Sequence, residues 1–164
     1  MQTNIQGSGV RNVRALNVAA AASSGEMSLV VSSDNSGDHR LRGNGWPGTP
    51  TRVASLDEVV TSTEGIGLVK IDAQGADHLV IQGMGRIIRD SRPAVVAEFW
   101  PAGIRDRGED PLAVAAALRA VPGTLRCPGT PGLGTDPEPE AMVAAADASP
   151  EGFIGILVTA SAAW

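Results

Sequence analysis

Asp72, Asp77 and Glu98 are the residues whose types and spacing are best suited to chemistry, because carboxylates at strand ends can move protons or hold a cationic group. The run Lys70-Ile71-Asp72-Ala73-Gln74-Gly75-Ala76-Asp77 follows an apolar stretch and leads into a helical pattern. Asp72 is therefore expected at the carboxyl end of a strand, Gly75 in a tight turn, and Asp77 in the first turn of a helix, where it favours the dipole. In wound α/β sheets, ligands collect at such strand ends. An equally good reading is that Asp72 and Asp77 only cap the helix. Glu98 and Trp100 close the next strand and would lie beside Asp72 if the two strands are neighbours. A structural salt bridge and a substrate contact fit Glu98 equally, and packing fits Trp100 better than stacking on a ligand.

Other features carry less. Gly7-Ser8-Gly9 lacks both the third glycine of a dinucleotide fingerprint and a strand before it. The glycines from Gly129 to Gly134 alternate with prolines and have no lysine to meet a phosphate. His39 and His78 stand alone in polar settings and are expected to face solvent, without a neighbouring nucleophile. Cys127 is the only cysteine, so no intramolecular disulfide can form, and no zinc-ligand spacing is present.

The elements that must position these residues follow from periodicity. Val13 to Val18 and Glu26 to Val31 read as two strands joined by a turn at Ser23, Ser24 and Gly25. From Ser32 to Thr51 glycine and proline recur without a period, which predicts an irregular segment. Ser55 and Glu58 form a capping box opening a short helix to about Thr61, and Ile66 to Ile71 reads as a strand. Val80, Met84, Ile87 and Ile88 give one helix from Ala76 to Ser91, ended by Pro93. Ala94 to Phe99 reads as a nearly continuous apolar strand, and Asp110 with Pro111 starts a helix to about Val121. A brief strand at Leu125 to Cys127, a helix from Pro137 to Ala146 and a buried strand from Phe153 to Thr159 complete the order. Alternation of strand and helix predicts a parallel sheet.

The 164 residues suit one domain spanning 1–164, with 43% hydrophobic and 19% charged residues and a net charge of -5. These values exclude a disordered acidic tail and disfavour nucleic acid as a partner. Residues 1–16 lack the apolar stretch of a signal peptide, and no run approaches the roughly 20 apolar residues of a membrane span. A cytoplasmic protein that engages neither membrane nor nucleic acid is expected. One lysine against twelve arginines, with abundant alanine, is the mark of GC-rich coding and carries little functional weight.

The ordered set Leu56-Asp57-Glu58, Leu68 through Asp77, Val80-Ile81-Gln82-Gly83, Arg92-Pro93 and Ala97-Glu98-Phe99 resembles the FkbM-type S-adenosylmethionine-dependent methyltransferases across about Asn12 to Pro101. Upstream, a strand ending in Ala19-Ala20, then Ser24-Gly25-Glu26, a hairpin strand and the Asp34-Asn35-Ser36-Gly37 loop are similar to the same family, as is the last strand. The resemblance implies a partial class I methyltransferase fold of the α/β, Rossmann-like type, a mostly parallel sheet flanked by helices. It implies S-adenosylmethionine as methyl donor and a small-molecule hydroxyl acceptor on a sugar or natural product. Under it, Ala19 and Ala20 border the adenine end of the cofactor, Asp72 the methionine portion and transferring methyl, and Glu98 with Trp100 the acceptor pocket. Asp72 or Glu98 is then the general base or orienting group.

The sequence also departs from the family pattern. Its opening strand with the acidic glycine-rich loop, and its second strand with a ribose-binding carboxylate, have no counterpart here. In the usual strand order, these would stand between the Val13 to Val18 strand and the Ile66 to Ile71 strand. The expectation is that the first forty residues rearrange, attach loosely, or pair with another chain, either a second copy or a partner that completes the sheet. A non-catalytic α/β module that binds a partner chain is the second functional class these residues allow.

Overall fold

The computed structural model describes residues 5, 7–35, 37–43 and 46–160. Among the described residues, eight strands fall into two four-stranded sheets. The first, in the order β1-β4-β2-β3, contains β1 (Ala19–Ala20), β2 (Gly25–Val30), β3 (Arg40–Arg42) and β4 (Thr49–Ala54). The second, in the order β5-β6-β8-β7, contains β5 (Leu68–Lys70), β6 (Ala94–Phe99), β7 (Thr124–Arg126) and β8 (Ile154–Thr159). The helices are α1 (Leu56–Val59), α2 (Asp77–Gln82), α3 (Gly85–Ser91), α4 (Pro101–Asp106), α5 (Pro111–Arg119) and α6 (Pro139–Ala148).

Both sheets are mixed, which corrects the expected mostly parallel sheet. In the first, β1 runs parallel to β4 while β2 pairs antiparallel with β3 and β4. In the second, β5 runs parallel to β6 while β8 is antiparallel to β6 and β7. Burial follows from this. Val95, Ala97 and Phe99 of β6 and Ile154, Ile156 and Val158 of β8 are buried, whereas the residues between them are only half-buried. The core beneath this buried face includes Ile81, Ile87, Ile104, Leu118 and Met142 of the helices. β6 is the nearly continuous apolar strand expected over Ala94 to Phe99, and its alternating burial is what a sheet with one covered face produces.

The first sheet departs most from expectation. Residues 13–18 form no strand, and Val13 and Leu16 are exposed. Only Ala19–Ala20 pair, with Val53 and Ala54 of β4. A strand needs a hydrogen-bonding neighbour, and β4 offers one over two residues only. The segment expected to be irregular, Ser32 to Thr51, instead contains β3 and the first half of β4. Pro50 tolerates a strand because it lies outside the stretch of β4 that pairs with β1.

The helix expected over Ala76 to Ser91 is two helices. A Cβ at Gly83 would collide with the Ala21 carbonyl oxygen, so the chain must stay bare where it passes the end of β1. The Gly83 carbonyl accepts from the Asp57 amide at 3.0 Å. Asp57 then caps the second piece, its carboxylate accepting from the amides of Arg86 at 2.7 Å and Ile87 at 3.0 Å. Elsewhere, Ser55 accepts from the Glu58 amide and Asp110 from the Leu112 amide, as the sequence indicates, but the Glu58 carboxylate accepts from the Ser24 hydroxyl instead of closing the capping box, and α1 ends at Val59. The last helix begins at Pro139 rather than Pro137, and α4 lies in a stretch where the sequence predicts no element.

Candidate functional site

β5 and β6 bring the expected carboxylates together. Lys70 is abreast of Val96, and the Ile71 amide donates to the Val96 carbonyl at 2.8 Å. Continuing that register places Asp72 abreast of Glu98 at the shared carboxyl end of two parallel strands. After Asp72 the chain turns sharply, with Gln74 at φ 48° and Gly75 at φ 85°, both left-handed. A Cβ on Gly75 would stand 3.2 Å from Gly103 and 3.3 Å from the Trp100 ring, so only glycine lets this turn lie so close to α4.

The three carboxylates here divide by role. Asp77 is buried, and its carboxylate accepts from the Ala73 amide at 3.2 Å and the Glu98 amide at 3.1 Å, tying the turn to β6. Burial pushes its carboxyl above the usual range despite those two bonds. Asp77 is therefore a structural tie. Asp72 is exposed, 3.3 Å from the Lys70 ammonium and accepting from the Gln74 side-chain amide at 3.1 Å. Its carboxylate is engaged by side chains, not by the amides of α2. Glu98 is half-buried, and its carboxyl is pushed up first by burial and then by the charges of Asp72 and Asp77, with Lys70 opposing. A carboxyl held up in this way is a better proton acceptor than an ordinary one.

Trp100 packs on Gly103, where a Cβ would collide with its ring, and its other surroundings include the Arg40 guanidinium at 4.5 Å from the ring centroid. Arg40 is in turn held by Asp38 at 2.7 Å and reaches Asp106 at 3.4 Å. Ala19 and Ala20 are not brought to this group; they belong to the other sheet, where both are half-buried and Ala20 also meets the main core.

Two residues were missed by sequence reasoning. His78, expected to face solvent, is buried, with its Nε2 2.6 Å from Glu109. Glu109 also pairs with Arg107 at 3.0 Å, and Arg107 donates to the Leu41 carbonyl of β3. Burial lowers the His78 pKa while Glu109 opposes the shift. Arg42 is the second: it is 8% exposed in its side chain, pairs with Asp106, and keeps one guanidinium nitrogen, Nη1, buried without a partner among the described residues. Neither has a local pattern, because each partner is remote in sequence. His39 is exposed, as expected.

These features define a mixed α/β protein that presents two carboxylates at the carboxyl ends of neighbouring parallel strands. Residues 10–120 match the family described as the methyltransferase FkbM domain, and the chain belongs to that family. No curated protein and no solved structure matches the chain. Membership implies a methyl donor, and no helix among the described residues is long and apolar enough to cross a membrane.

Proposed function

We propose that the chain is an S-adenosylmethionine-dependent O-methyltransferase acting on a hydroxyl of a sugar or natural product. The observation that carries this reading is the pairing of Asp72 with Glu98 at one strand end, within a family of methyltransferase domains. The donor is cationic at its sulfonium and its ammonium, and the exposed Asp72 with the neighbouring Glu98 supplies the complementary charge, so the methionine end of the donor fits this group of residues. S-adenosylmethionine supplies an electrophilic methyl when bound.

The chain's own residues do the rest. Asp72, steadied by Gln74 and Lys70, orients the cationic end. Glu98 accepts the hydroxyl proton on one carboxylate oxygen as the acceptor oxygen attacks. Trp100, clamped between Gly103 and Arg40, walls the acceptor side. Ala19 and Ala20, in the reading taken from the family, lie toward the adenine. Most of the rate comes from holding the acceptor oxygen in line with the methyl.

Calorimetric titration of S-adenosylmethionine into the full chain tests this. Saturable heat that is lost in Asp72→Ala, with an unchanged melting temperature, supports it. Absence of both heat and thermal shift at millimolar donor sinks it, and unfolding of Asp72→Ala would return Asp72 to a structural role.

A second reading has its own observation. β5 is an edge strand, and Leu68 on it is 63% exposed, so this edge can take a further strand from a second copy or a partner chain. Under this reading light scattering finds a dimer or a complex. A monomer that binds no other chain is the result against it.

A further inference from the structure

A cavity of about 600 Å³ opens between α2, α3 and α5 over the buried face of the second sheet. It touches Pro93 and Val95 at the start of β6, whereas Glu98 stands three residues further on, roughly 10 Å along the strand, with its side chain on the opposite face. The cavity is therefore separate from the carboxylate pair. Its size falls in the range of about 300–1,000 Å³ typical of sites for small organic molecules.

The lining has a clear chemical division. Ile81, Ile88, Val95, Leu118 and Val158 form apolar walls, all buried except the half-buried Ile88. Arg89 and Arg92 stand exposed at the opening, and no acidic residue lines the cavity. Arg89 is shared with Asp90 at 3.5 Å, while Arg92 enters no ion pair among the described residues. His78 also lines the cavity, but its Nε2 is taken by Glu109. Arg92 caps α3 in the left-handed conformation, at φ 50°, where glycine or asparagine would be the easier choice. An arginine there also favours the carboxyl end of the α3 dipole, and its guanidinium, exposed at the cavity mouth, remains open to an anionic ligand.

We propose that this cavity binds an amphipathic organic monocarboxylate, with its apolar body among the isoleucine, valine and leucine side chains and its carboxylate on Arg92 and Arg89. One negative charge matches one unpaired guanidinium beside one already shared with Asp90. Planar guanidinium also offers a carboxylate two parallel donors. The site is independent of the methyl-transfer reading and stands whether or not that reading holds.

Decanoate is the probe, with decanol as the same body lacking the charge. Titrated into the full chain, decanoate binds saturably, and the Arg89→Gln, Arg92→Asn double variant weakens it on the order of tenfold while decanol binding is unchanged. Asparagine accepts the left-handed conformation, so the variant keeps the end of α3. Ala117→Phe, which narrows the mouth, weakens both ligands. No saturable decanoate binding, or equal affinity in wild type and double variant, overturns the proposal. If a variant fails to fold, amide shifts in the wild-type chain decide: decanoate must move Ile88, Val121 and Gly123, and shifts absent there overturn it.

Discussion

The two sheets are built on different physics. The second lies over a buried apolar core drawn from helices α2 to α6, from Ile81 and Ile87 to Ile104, Leu118 and Met142. The first has a separate and much smaller core of Ala21, Leu41 and Val53. What joins it to the rest is largely polar: Arg42 and Arg40 with Asp106, and Arg107 with the Leu41 carbonyl. Burial holds one sheet and a few directional contacts hold the other. The candidate carboxylates sit on the sheet that burial makes rigid, and only the Ala19–Ala20 segment lies on the weaker one.

The comparison breaks most readily at the second core. Phe99→Ala is expected to cost about 3–5 kcal/mol, enough to lower the urea midpoint of the whole chain in one transition. A loss confined to a few tenths of a kcal/mol would mean that this core is not the source of stability. Next comes Asp106→Ala, which leaves the buried Arg42 guanidinium without its anion and costs about 1–3 kcal/mol. Hydrogen exchange should then quicken in β2, β3 and β4 while β6 and β8 stay protected. Adding Arg42→Met should return much of the loss, because an apolar side chain needs no partner there. Equal quickening in both sheets contradicts the division.

Asp57→Ala removes the acceptor for two α3 amides and is expected to cost about 1 kcal/mol, read as a thermal shift together with faster exchange at Arg86 and Ile87. The smallest effect is with pH. The His78 pKa is lowered in the folded chain, chiefly by burial, so the unfolded chain binds the proton first as pH falls below the ordinary histidine value of 6.5. Its contribution is present above 6.5 and fades as the pH drops toward the folded value. Urea midpoints at pH 7.5 and 5.5 should differ in the wild type and differ less in His78→Gln; an equal difference would remove His78 as the cause.

What was legible in the sequence follows the same division. In the second sheet, β6, β8, α5 and the turn at Gln74-Gly75 lie where periodicity and capping residues indicate, because each is specified by its own segment. The Asp72 and Glu98 pairing was legible for the same reason, since it needs only two neighbouring parallel strands. Parallel strand character was not, because antiparallel pairing of β8 depends on where the chain returns rather than on the strand's composition. β3 and β4 were hidden by Gly43, Pro47, Gly48 and Pro50, whose turn signals outweigh three-residue and six-residue strands. The break at Gly83 depends on the Ala21 carbonyl, sixty-two positions earlier, and the burial of His78 depends on Glu109. No periodicity of a single segment can encode such a partner.

The most direct test of the methyl-transfer reading is to titrate S-adenosylmethionine into the isotope-labelled chain and follow its backbone amides. Saturable shifts at Ala73, Gln74, Gly75 and Glu98 are the predicted result, since these amides frame the Asp72 carboxylate at the end of β5 and β6. Unchanged amides there at millimolar donor, or shifts found only around Ile88 and Val121, would contradict it.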